Sequence, residues 1–132
     1  MVEVRNSHRP IVELTAVTLD CRDLEPMIRF YAGAFDAEVS HSDETGAWIH
    51  VHGGPLVLIR CLDDFRSPTW PEPNVPMQVH LELSVDDVEE AEARLQALGA
   101  TTPHYQPHRE QGNVVMLDPA GHPFCIGGHV ST

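Results

Sequence analysis

From Ala16 to Cys21 the chain alternates: Val17, Leu19 and Cys21 are apolar, and Thr18 and Asp20 between them are polar. Period two belongs to a strand with one buried face. After Asp23 the spacing becomes helical, and Leu24, Met27, Ile28, Tyr31 and Phe35 fall on one stripe. Pro26 lies in the first turn of that helix, where a missing N–H is tolerated. Asp36 stands where the helix stops, and aspartate accepts the left-handed conformation such a stop uses. Three short segments follow, "AEVSHS", "GAWIHVH" and "PLVLIRC", separated by Asp-Glu-Thr-Gly and Gly-Gly. Turn residues between short alternating runs predict strands.

The same order then recurs. In "VHLELSVDD" Leu81, Leu83 and Val85 alternate with His80, Glu82 and Ser84, so they match Val17, Leu19 and Cys21. Asp87 matches Asp23, and with Glu90 it fits a capping box at the start of a second helix. Val88, Ala91, Leu95 and Leu98 form its apolar stripe, and Gly99 ends it. "TTPHYQ", "GNVVMLD" and "HPFCIGG" complete the second set of strands. The predicted fold class is therefore α+β: two β-α-β-β-β modules forming a cupped mixed sheet, with helices on the outer face. Module one covers about residues 12–61 and module two about 77–129, within one domain. Pro68, Pro71, Pro73 and Pro76 make 62–76 a linker, since no central strand holds that many prolines. The first ten or so residues read as a loose arm.

If the sheets join and curve, the faces opposite the helices line a shared hollow. His80 and Glu82 then point into it, with Thr18 and Asp20 on the matching face of module one and Trp48 and His50 beside them. Glu82 next to His80 is a candidate acid–base pair. The plainer reading of Glu82 is a carboxylate meeting water at the rim. Trp70 in the linker is either an aromatic lid over the hollow or a plug on the sheet edge. His122 follows a turn and either shapes it or contacts a ligand. Cys125 reads as a small apolar filler unless a base lies beside it. His52, His104, His108 and Glu110 read as surface. "HVH" at His50–His52 resembles a cupin metal pair, but no glutamate follows it.

Together, "RFYAGAF", "VHLELSVDD", "ALGA", "DPAGHPFCI" and the Trp70-Pro71 pair resemble the vicinal oxygen chelate superfamily. Its members include glyoxalase I, extradiol dioxygenases and bleomycin- and fosfomycin-resistance proteins. The resemblance runs from about Val12 to His129 and is greatest to the small glyoxalase-like branch. It implies metal ligands from the first and last strands of each module. Ala16 and about Leu58 occupy two of those positions and carry no donor. His80 occupies the third, and Cys125 stands where a glutamate is usual. The resemblance therefore implies a small-molecule-binding protein without the usual metal site. The alternative is a glyoxalase- or lyase-type enzyme using His80 and Glu82, with or without a divalent metal. A homodimer is also implied.

Charge and composition narrow the partners. The chain has 132 residues, 8 Lys plus Arg against 20 Asp plus Glu, and a net charge of -12. Such a protein is repelled by phosphate backbones and anionic bilayers, so nucleic acid and membranes are not expected partners. The N-terminal stretch lacks the apolar core of a signal peptide. Cys21, Cys61 and Cys125 are an odd number at wide spacing, which suits a reducing cytoplasm.

Overall fold

The computed structural model describes residues 11–70 and 79–129. The N-terminal arm and residues 71–76 of the linker lie outside them. Module one runs β1 (Ala16–Cys21), α1 (Leu24–Phe35), β2 (Glu38–Asp43), β3 (Gly46–His50) and β4 (Leu56–Cys61). Its four strands form one sheet in the order β1-β4-β3-β2, with β1 parallel to β4 and the other pairs antiparallel. Module two runs β5 (Leu81–Ser84), α2 (Val88–Ala97), β6 (Val114–Leu117) and β7 (Pro123–Gly127). Its three strands are ordered β5-β7-β6, again with the first strand parallel to the last and the other pair antiparallel. The doubled α+β plan is present.

The local signals behave as their chemistry dictates. Asp87 Oδ1 accepts the Glu90 backbone N–H at 3.0 Å, closing the start of α2. Asp36 ends α1 at φ 48°, and the next turn returns through the Ala37 N–H to the Ala32 carbonyl. Val57, Ile59, Ala47 and Ile49 share the α1 side of the first sheet and are buried. Val114, Met116, Phe124 and Ile126 do the same in the second.

Three features depart from the expectation. Where "TTPHYQ" was expected to form a strand, Thr101 makes one isolated bridge to Leu117 and the chain then loops away. Pro103 and Pro107 cannot donate to a ladder. The side chain of Gln106 takes the missing strand's place: its Oε1 accepts from Val115 N at 2.9 Å, and its Nε2 donates to Val115 O at 2.8 Å. Second, the two sheets are hydrogen-bonded separately and do not merge.

Third, the modules meet through their helix-covered faces. Phe30 of α1 packs on Phe124 of β7 at 5.7 Å between ring centroids. Residues from both modules form one continuous core cluster. Burying those two apolar faces against each other turns the polar faces outward. Among the described residues, the core between the modules is built from these helix-covered faces.

Candidate functional site

Because side chains alternate along a strand, the polar face of module two is set by register. Glu82 on β5 lies directly across from Cys125 on β7, and Cys125 lies across from Val115 on β6. His80 precedes Glu82 by two residues and shares its side. His80 Nε2 is 2.8 Å from a Glu82 carboxylate oxygen. One donor atom each from His80, Glu82 and Cys125 lie within 4.8 Å of one another. The Glu82 side chain is 70% exposed and that of His80 is 29% exposed, whereas Cys125 is buried. The trio thus has a dry inner wall and an open outer side. Burial, aided by the nearby Glu82 charge, pushes the Cys125 thiol up to about 11. Left alone, Cys125 is a protonated thiol and a poor nucleophile at neutral pH.

The other predicted residues do not gather here. In module one Thr18, Leu58 and Trp48 occupy matching register positions, and Trp48 is half-exposed with His41 tilted against it at 5.3 Å. His50 is paired with the Ser40 hydroxyl at 2.5 Å. Asp20 receives a two-pronged ion pair from Arg60, at 2.8 and 3.0 Å, and its carboxyl is held below the usual range chiefly by that bonding. Trp70 rests beside Tyr105 at 6.0 Å, on the loop that replaces the missing strand. His122 Nε2 lies 2.6 Å from the Asp20 carbonyl, and its ring faces Phe65. These partners tie His122 to the seam between the modules. Concavities of about 220, 460, 500 and 840 Å³ indent the described surface, and neither His80 nor Glu82 lines any of these four.

Asp118 is the residue that the sequence reading passed over. It is buried, and its carboxylate accepts from the Tyr31 hydroxyl at 2.6 Å, from Ala120 N at 2.8 Å and from His122 N at 3.0 Å. One side chain therefore shapes the Asp-Pro-Ala-Gly turn and pins module two to α1. Burial and the Asp118 charge hold the Tyr31 phenol protonated, well above its ordinary range. An aspartate opening a turn signal was visible in "DPAGHPFCI"; its cross-module partner was not.

The family model described as a glyoxalase-like domain matches residues 16–127, which spans both modules. The chain belongs to the glyoxalase-like domain family. No curated protein matches it. Among solved structures, this glyoxalase-like chain is similar to the fosfomycin resistance protein FosX of Listeria monocytogenes. The identity is 22%, over 92% of this chain and 96% of that one, with a TM-score of 0.68. It is similar to a glyoxalase-related enzyme of Fulvimarina pelagi at 20% identity, over 89% and 88% of the chains, with a TM-score of 0.63. It is also similar to the trypanothione-dependent glyoxalase I of Leishmania major at 14% identity, over 89% and 86%, with a TM-score of 0.63. These likenesses carry the fold. A mutant FosX was solved in complex with Mn(II) and a dihydroxypropylphosphonic acid.

His80, Glu82 and Cys125 could together hold a metal ion, and the donor set says which kind. Manganese and magnesium favour oxygen ligands, whereas imidazole, carboxylate and thiolate together suit zinc and its chemical neighbours. His80, Glu82 and Cys125 fit the second group. No helix among the described residues is long and apolar enough to cross a membrane.

Proposed function

We propose that this glyoxalase-like protein binds a small molecule on the polar face of module two, against His80 and Glu82. The carrying observation is their 2.8 Å contact on the sheet face that no helix covers. A hydrogen-bonded imidazole and carboxylate offer both a donor and an acceptor to a polar ligand. The cross-module ligand positions that the resemblance implies are broken at Ala16 and Leu58, so this face works without the usual metal set. In a second reading the same pair is an acid–base couple in a lyase-type reaction, favoured by that short contact.

The opposite wall of the site comes from a second copy. β1 and β5 are edge strands with no partner on their outer sides among the described residues. Ile11, Val12, Leu14 and Val79, which lead into those two strands, are strongly exposed. Free edges beside apolar surface favour pairing with another chain. A homodimer that joins these edges would set the polar face of one copy's module one against module two of its partner. Three free cysteines fit a reducing compartment, so we place the protein in the cytoplasm. Its acidity speaks against nucleic acid or anionic membranes as partners.

Thermal-shift screening of polar metabolites tests the ligand site. Compounds that stabilise the wild-type chain should lose at least tenfold in affinity with His80→Ala or Glu82→Gln. Hits indifferent to both substitutions remove the proposal. Sedimentation should show a dimer, and Val79→Glu should shift it toward monomer; a monomeric wild-type chain at micromolar concentration removes the assembly.

A further inference from the structure

Building on that ligand face, we infer that His80, Glu82 and Cys125 form a complete three-donor site for a thiophilic divalent cation of the zinc class. All three donors come from β5, its leading residue and β7, so module one contributes nothing to it.

Geometry supports the closure. Zinc bonds of about 2.0–2.3 Å in a tetrahedral shell place donors roughly 3.4–3.7 Å apart. The three donor atoms already lie within 4.8 Å of one another. Glu82 is the exposed and adjustable member, and Cys125 is the fixed, buried one. Small side-chain rotations therefore suffice, with no strand moved.

The chemistry is consistent as well. Neutral imidazole, carboxylate and thiolate bring two negative charges to a divalent ion, so the loaded site is locally neutral. On binding, the Cys125 S–H bond breaks, the sulfur bonds the metal, and the proton leaves to solvent. The Glu82 contact with His80 is exchanged for two metal bonds. Three protein ligands leave at least one coordination position on the open side, where a small molecule can bind. The thiolate sets this site apart from oxygen-rich manganese chemistry.

Cobalt(II) tests the inference without reference to turnover. The chelator-stripped full chain should bind one Co²⁺ and develop thiolate-to-cobalt charge-transfer absorption in the near ultraviolet. Zn²⁺ should displace it, and equal Mn²⁺ should not. Cys125→Ser should abolish the absorption and weaken Zn²⁺ at least tenfold, with circular dichroism confirming the fold. Should that variant misfold, His80→Ala supplies the second reading, with Co²⁺ affinity falling at least tenfold. Absence of the band in wild type, its persistence in Cys125→Ser, Co²⁺ affinity unchanged in His80→Ala, or displacement by Mn²⁺ overturns the inference. The ligand proposal fails separately. Screening hits held by the metal-free chain and lost in His80→Ala uphold the ligand face even where the cobalt band fails to appear. Hits indifferent to His80 remove the ligand face whatever cobalt does.

Discussion

The two modules present the same three register positions with different side chains. Thr18, Leu58 and Trp48 in module one stand where Glu82, Cys125 and Val115 stand in module two. The backbone frame is shared: a first strand parallel to the last and a helix behind. Module one fills that face with a hydroxyl, an aliphatic side chain and a half-exposed indole; module two fills it with a carboxylate and a thiol beside an imidazole. Duplication supplied the scaffold twice, and the chemistry resides in a handful of side chains on one copy.

The most direct way to break this comparison is to move the donors. A chain carrying Ala16→His, Thr18→Glu and Leu58→Cys presents module two's set in module one. Co²⁺ stoichiometry should rise from one to two per chain, read by titrating the charge-transfer band. A stoichiometry still at one would mean that the donors alone do not make the site. The difference would then lie in the covering of module two, where Val115 is buried and its counterpart Trp48 is not.

Two carboxylates sharpen the comparison energetically. Asp118 is buried and joins the modules; Asp20 lies on the outward face of module one and pairs with Arg60. Asp118→Ala leaves the Tyr31 hydroxyl and two turn N–H groups without their acceptor. Stranded buried donors cost about 1–3 kcal/mol each before relaxation, so a loss of roughly 3 kcal/mol is expected. Urea unfolding measures it. A loss under about 1 kcal/mol would show that the modules are held by the Phe30–Phe124 packing and not by this hub.

The same contrast explains what could be read from the chain. The repeated elements were legible because their causes are local: alternation in the strands, the stripe on α1, Asp87 and Glu90 capping α2, Asp36 turning left-handed. His80 and Glu82 sharing a face was legible for the same reason, since they are two residues apart on one strand. Cys125 opposite Glu82 needed the β5–β7 register, which no local pattern supplies; the family resemblance gave only its place on the last strand. What failed was tertiary. Nothing near Tyr31 announces Asp118, 87 positions away. Nor does the pattern say which face of a sheet meets the other module. Residues 101–106 look strand-like in isolation, and only the single side chain of Gln106 replaces the ladder that their prolines prevent.

The smallest expected effect concerns acid. Arg60 holds the Asp20 carboxyl below its ordinary range in the folded chain, chiefly by hydrogen bonding. A folded pKa below the unfolded value contributes stability that is fully present above the unfolded pKa, near 4. It is lost as pH falls through the folded one. Asp20 therefore favours folding at neutrality, and that contribution starts to fade below about pH 4. Its side chain is 30% exposed and that of Arg60 is 58% exposed, so solvent screening limits the gain to under about 1 kcal/mol. Asp20→Asn should lower urea stability slightly at pH 7 and by less at pH 3. An equal loss at both values would locate the contribution in packing on the sheet edge and not in charge.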